Sequence, residues 1–583
     1  MIPDASTTPG GWLLPLAILM PFVGVLAGLA LGGRHARSVA MLTIAAGLAA
    51  AIAIASAALR MGDSLVYVLG GWSPPLGIAL RADGIAVAMI VAVAVVITGI
   101  GIYARTDFAT PRGVGEARAP MLYWMLLLAV WGSLNLVFVS GDLFTLYVAL
   151  ELLTFAGVPL VCLDGKGETL RAALRYLVYA LAGSVLYLLG VVLLYAQYGT
   201  LDIALLAPRV SPGAATWTAM AMMTAGLLAK TALFPLHLWL PPAHAGAPPA
   251  ASAVLSALVV KGSFFIVIRL WLDVAPGLVG LPAAQLLAGL GAAAILFGSV
   301  IALRQARLKL LIAYSTLAQI GYLFIMFPLA FDGATGMFVH GDALNAGILQ
   351  AISHATAKAA MFMAAGLVYK SCGHDRIADL AGIARASPLT VLTFVFGGVA
   401  LMGVLPSGAY LAKKLLLAAA DGSGQWWWES VLVTGGLLTT SYVVLVAAQM
   451  LRRPAADAPP RASVPRPQEL AALALALCSL ALGLTAVFGP VPSSFLGNPL
   501  APKELGATLM TIAGGTVLAL LFASPLPPLP AALSAVASRS RRVTLPLGAV
   551  LEGIDALLRR WAVAGVSLLL VALAFGLLMH GDV

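Results

Sequence analysis

From end to end the chain alternates long apolar stretches with short polar connections. About sixteen of these stretches run to about 18 or more mostly apolar residues, the length a helix needs to cross a bilayer. The pattern predicts an all-α polytopic membrane protein with about 16 transmembrane helices. Basic residues gather on alternate connections: Arg34 and Arg37; Arg105, Arg112 and Arg118; Lys166, Arg171 and Arg175; Arg304, Arg307 and Lys309. The series continues with Lys370, Arg376 and Arg385, then Arg452, Arg453, Arg461 and Arg466, then Arg539, Arg541 and Arg542. The intervening connections hold only scattered basic residues such as Arg60, Arg81, Arg209 and Lys503. Positively charged loops stay in the cytoplasm, which places both termini outside a bacterial-type inner (plasma) membrane. Asp4, with no basic residue ahead of the first apolar run, predicts no cleaved signal peptide.

Two of the stretches carry their own interruption. Pro235, Pro241 and Pro242 follow Lys230, and Pro406-Ser407-Gly408 precede Lys413. Proline removes a backbone donor and clashes with the preceding turn. Within a membrane such breaks survive only where protein or a wet cavity satisfies the freed groups. The triplet Leu-Ala-Lys stands at 228–230 and again at 411–413, each beside a break, as an internal repeat would place it. Residues 525–548 are Pro-rich and then basic, and read as a cytoplasmic linker.

Composition narrows the function. The chain is 61% hydrophobic and 10% charged, against about 25% charged in a soluble domain. The net charge of +10 resides largely in the basic loops, so nucleic acid is not an expected partner. The three cysteines form no CxxC or Cys/His cluster, and there is no P-loop, HExxH or iron–sulfur array. No cofactor or metal is therefore expected, no catalytic redox or hydrolytic centre is evident, and the driving force must come from an ion gradient or partner subunits.

Against that background a few charges stand out. Lys230, Lys261 and Glu151 sit well inside apolar runs, where a lysine costs about 2.5–3.5 kcal/mol even on the mildest insertion scale. Such residues face a protein interior or a wet cavity and usually work there. A carboxylate near an ammonium stabilises the charged form, so withdrawing Glu151 from Lys230 would favour proton release; the bland reading is a static ion pair. His354 and Lys358 are spaced i, i+4 and share one helix face, and histidine is a natural relay element. His237 and His244 flank the break with Pro235, where they either gate a proton pathway or cap unwound backbone. Lys309, Lys370 and the loop arginines read as topology determinants.

Six stretches resemble the antiporter-like proton-translocating subunits shared by respiratory complex I, Mrp-type cation/proton antiporters and membrane-bound hydrogenases. They are LGGWSPPLGIALRADGIAVAM (69–89), SGDLFTLYVALELLTFAGVPLV (140–161), AKTALFPLHLWLPPAHAGAPPAASAVLSALVVKGSFFIVIR (229–269), YSTLAQIGY (314–322), SHATAKAAMFMAAG (353–366) and HDRIADLAGIARASP (374–388). The resemblance implies a 14-helix antiporter-like core with two inverted five-helix repeats and broken helices. It divides the chain into helices 1–3 (1–119), a first repeat (120–272), a second repeat (273–452), and C-terminal helices with the linker (453–583). It assigns a proton relay to Glu151, Lys230, Lys261, His354, Lys358 and Lys413. The segment GAYLAKK departs from the family pattern and keeps Lys414 beside Lys413 as a terminal candidate.

The expected function is a proton-translocating subunit of a multisubunit complex. Its partners would be the other membrane subunits, protons, possible sodium ions and the lipid bilayer. Two rivals stand beside it: a membrane coupling subunit of a quinone-reducing or hydrogen-evolving redox enzyme, and a proton-channel partner in inorganic-carbon uptake.

Overall fold

The computed structural model describes residues 6–111, 113–114, 117–332, 335–454, 461–484, 501–522, 546 and 548–580. Most of the linker at 525–548, with Arg539, Arg541 and Arg542, lies outside the described residues, as do Asp4 and Arg112.

Among the described residues, fourteen helices are long and apolar enough to cross a membrane. In chain order the first six are α1 (Leu13–Leu31), α2 (Gly33–Met61), α3 (Gly84–Asp107), α4 (Arg118–Val139), α5 (Leu143–Val161) and α6 (Gly167–Tyr198). The next crossing is interrupted: α7 (Ala214–Thr231) stops, and α8 (Leu240–Gly246) resumes after an irregular stretch. Then follow α9 (Pro249–Val274), α10 (Leu281–Leu303), α11 (Leu308–Leu329) and α12 (Asp342–Cys372). A second interrupted crossing is made of α13 (Pro388–Leu401) and α14 (Gly408–Gly422). The chain ends with α15 (Trp426–Leu451), α16 (Arg466–Leu484), α17 (Pro502–Phe522), a short α18 (548–558) and α19 (Trp561–His580). Counting the interrupted pair with the fourteen gives the sixteen crossings that the apolar pattern predicts.

One element escapes a purely helical reading. Leu65–Val68 and Ala79–Ala82 pair antiparallel, with Leu65 opposite Ala82, on the face opposite the basic loops. Asp83 follows directly and caps α3, accepting from the Ala86 amide at 2.9 Å.

Small residues set the closest helix contacts, as expected where lipid supplies no hydrophobic drive and close packing must hold helices together. A Cβ on Gly226 of α7 would lie 2.2 Å from the Gly183 carbonyl oxygen of α6. Gly321 of α11 stands in the same relation to the Gly291 carbonyl of α10, at 2.3 Å. The central helices are the most enclosed. Every residue in the best apolar window of α9 is buried, whereas the windows of α1 and α2 are one-third buried. The interior is thus built around α7–α9 and α11–α12, where the ionisable residues lie.

Candidate functional site

The two breaks place the site. α7 ends at Thr231, and Ala232 turns into the left-handed region at φ 60, the one non-glycine residue to do so among the described residues. That conformation costs a non-glycine residue roughly 1–2 kcal/mol, and the strain sits two residues from Lys230. The Trp239 indole donates to the Ala229 carbonyl at 3.1 Å, satisfying backbone freed by the break. At the second break, the Gln319 amide donates to the Leu401 carbonyl at 3.3 Å and so serves the end of α13.

Lys230 sits in the last turn of α7, where the carbonyl end of the helix dipole favours a cation. Its ammonium donates to Glu151 Oε1 of α5 at 3.1 Å, to Ser184 Oγ of α6 at 2.5 Å, and weakly to the Leu150 carbonyl at 3.4 Å. Three helices therefore converge on one charge.

Lys261 lies deep in α9, 1% exposed, two residues beyond a π-helical segment at Leu255–Val259. Wide π turns recur at functional sites. Here Lys261 Nζ donates to the Ser256 carbonyl of that segment at 2.8 Å and also contacts His354 Nδ1 of α12. Lys358, one turn along α12, donates instead to Ser315 Oγ of α11 at 2.5 Å and to the Ile312 carbonyl at 3.2 Å. The i, i+4 pair thus shares a face but contacts two different neighbours. The second nitrogen of His354, Nε2, is buried without a hydrogen-bond partner among the described residues.

Beyond Ser315 the polar interior continues through α11. Gln319 also donates to Thr439 at 3.4 Å, and Gln350 donates to Gln319 Oε1 at 3.1 Å. Gln350 and Tyr322 border a cavity of about 10 Å³ that also holds Lys413, room for about one water. Lys413 points toward Gly403 and Gly436, and a Cβ on Gly436 would stand 2.8 Å from its ammonium. Lys414 turns the other way and donates to Glu504 of α17 at 2.8 Å. The adjacent lysines are separated as their helical positions demand: Lys413 faces the interior and Lys414 faces α17.

The remaining candidates border this line. His237 is fully buried and joined through Nε2 to Asp555 of α18 at 3.1 Å. Pro235 lies two residues before it, within the break. His244 is also fully buried, stacks on Phe362 with ring centroids 4.8 Å apart, and leaves both ring nitrogens unpartnered among the described residues.

One reading changes. Lys309 is no loop charge: it is 6% exposed and donates to the Ala247 carbonyl at 2.5 Å, because its place in the first turn of α11 points it inward. Lys370 is bound to Asp107 and to Gln468. Ser184, Ser315, Asp555 and Glu504 were not singled out from the sequence. Serines are common on helix faces, and the carboxylates lie far along the chain from the groups they meet. Among the described residues no cluster of three His, Cys, Asp or Glu could hold a metal ion.

A family model described as NADH:quinone oxidoreductase/Mrp antiporter, transmembrane, matches residues 140–439. The chain is 37% identical over 380 residues to NADH-quinone oxidoreductase subunit N of Desulforudis audaxviator, covering 63% of this chain and 72% of that protein. It is 29% identical over 349 residues to a Na(+)/H(+) antiporter subunit of Bacillus subtilis, covering 59% and 67%. In fold it is similar to a chain of the Mrp complex from a Dietzia species, with a TM-score of 0.71 at 24% identity, covering 90% of this chain and 99% of that one.

Proposed function

Because this chain belongs to the NADH:quinone oxidoreductase/Mrp antiporter family, we propose that it is a proton-translocating, antiporter-like subunit of a multisubunit membrane complex. The observation that carries this reading is the line of buried and partly buried ionisable groups from Glu151 and Lys230, through Lys261, His354 and Lys358, to Lys413. Charges cost too much in a membrane interior to be kept there as packing. Static ion pairs would need acidic partners, and among the described residues Lys261, Lys358 and Lys413 have no salt bridge.

In this proposal the basic loops face the cytoplasm and both termini face outside. Protons are exchanged with one side near Lys230 and Glu151, cross laterally through Lys261, His354 and Lys358, and are exchanged with the other side near Lys413. Water bridges the gaps that side chains leave. The two interrupted crossings supply backbone that can shift without unravelling a whole helix, so each end can open in turn.

The greater identity to the quinone oxidoreductase subunit than to the antiporter subunit favours a second reading, in which a partner's quinone reduction drives the flow. The proposal is tested by purifying the chain with its bound partners, reconstituting it in vesicles and following internal pH. Lys230→Ala and Glu151→Ala should each abolish or strongly reduce proton-coupled activity while the complex still assembles. Wild-type activity in both assembled variants rejects the relay.

A further inference from the structure

The C-terminal segment contributes a group that the relay does not yet use. Asp555 lies on α18 and is only 3% exposed, although neighbouring positions of this short helix are exposed. Burying a carboxylate is costly unless it is fully matched, and this one is matched from three directions. His237 Nε2 of the first break stands 3.1 Å from Oδ1, while Tyr314 Oη of α11 donates to Oδ2 at 2.7 Å and Arg559 Nη2 of the same segment forms an ion pair with Oδ2, also at 2.7 Å. Burial alone would raise the proton affinity of Asp555, but the His237 hydrogen bond and the Arg559 charge hold it below the ordinary carboxylate range. An ionised Asp555 can only accept, so its contact with His237 is a hydrogen bond in the forms of the ring that protonate Nε2.

The surroundings are those of a path rather than an anchor. A cavity of about 480 Å³ on the basic face reaches Asp555 and is lined by Pro242, Arg304, Tyr314, Glu552 and Arg559. Arg304 and Glu552 pair at 2.6 Å within it, so the charged groups facing Asp555 are accounted for. On the inner side, His237 is held between Phe234 and Phe297, and its Nδ1 is buried with no hydrogen-bond partner among the described residues. Anchoring needs no buried charge, because α19 already packs Ala564, Leu568, Val571 and Phe575 into the protein.

We propose that His237 and Asp555 form a carboxylate–imidazole pair that passes protons between this basic-face cavity and the interior beside Lys230, with His237 as carrier and Asp555 as its positioning residue. The proposal rests on the proton-translocation reading above and adds a port to it. The resting ring holds its Nε2 proton toward Asp555 and turns the Nδ1 lone pair inward. A proton bound at Nδ1 gives an imidazolium whose charge Asp555 balances. Loss of the Nε2 proton to a water beside Asp555, which borders the cavity, leaves a neutral Nδ1–H ring, and water-assisted movement of that proton from Nδ1 to Nε2 restores the starting form with one proton transferred. The same steps reversed carry a proton inward.

The test is proton flux by the purified complex in vesicles. Asp555→Asn and His237→Gln should each lower flux roughly tenfold or more, and the double variant should be no slower than His237→Gln alone. Asp555→Glu, which keeps the charge, should recover most of the flux, a rescue that a purely structural asparagine defect does not predict. Wild-type flux in Asp555→Asn, or losses that multiply in the double variant, overturns the proposal. Lys230→Ala separates the two failures. If it is inactive while Asp555→Asn is normal, only the port is wrong; if both run at wild-type rate, the relay itself is wrong.

Discussion

The Lys230 ammonium stands 3.1 Å from Glu151 Oε1, and both side chains are largely shielded from solvent. Removing one partner of such a pair strands the other, at a cost of about 3–5 kcal/mol. Glu151→Gln is therefore expected to lower proton flux at least about tenfold, and Glu151→Gln combined with Lys230→Ala should be no worse than Lys230→Ala. A double variant much slower than either single one would show that the two residues act separately.

Ser184 makes the closest polar contact to the Lys230 ammonium, at 2.5 Å. A hydrogen bond to a charged group is worth about 1.5–3 kcal/mol net. Ser184→Ala should thus cut flux roughly tenfold while leaving the yield of assembled complex unchanged. Unaltered flux would remove Ser184 from the site.

The contact of α6 with α7 depends on two glycines. A methyl group at position 226 would meet the Gly183 carbonyl oxygen at 2.2 Å, and backbone cannot swing aside as a side chain can. Gly226→Ala should destabilise the protein by about 1–3 kcal/mol and, by spreading the helices, loosen Ser184 from Lys230. Gly289→Ala, with nothing within 4 Å of the added carbon, should leave thermal unfolding in detergent unchanged. Equal melting temperatures for the two variants would contradict the close-packing argument.

At the face opposite the basic loops, Asp83 receives both terminal nitrogens of Arg269, at 2.5 and 2.6 Å. Burial raises the affinity of this carboxyl for a proton, but the Arg269 hydrogen bonds and charge outweigh it and hold Asp83 below the ordinary value. A depressed folded-state value stabilises the fold above the unfolded value of about 3.9. That contribution is lost as the pH falls through the lower folded value. Asp83→Asn should cost about 1 kcal/mol at pH 7, allowing for partial exposure, and progressively less toward pH 3 in detergent-based unfolding. A deficit independent of pH would assign the loss to something other than the ion pair.

Much of this architecture is legible in the chain because membranes impose simple rules. Span length follows from bilayer thickness, and proline marks both breaks, beside Lys230 and before Lys413. The shared face of His354 and Lys358 follows from helical periodicity. What periodicity does not carry is which face meets which helix. Nothing in the spacing says that Lys358 turns to Ser315 while His354 turns to Lys261. Nor does it place Asp555 against His237, 318 positions earlier, since that contact is fixed by how α18 folds back on the bundle. Lys309 misleads for a related reason. It belongs to a basic loop by sequence, yet one helical turn is enough to direct its side chain inward.

The central claim is that protons cross the middle of the protein through the Lys261–His354 contact. Lys261→Met tests it most directly, because methionine keeps the volume of the buried site while removing the ammonium. In vesicles containing the assembled complex, internal pH should remain constant when the driving reaction or gradient is applied to Lys261→Met, while the wild type shows a sustained change. A Lys261→Met complex that moves protons at the wild-type rate would contradict the account.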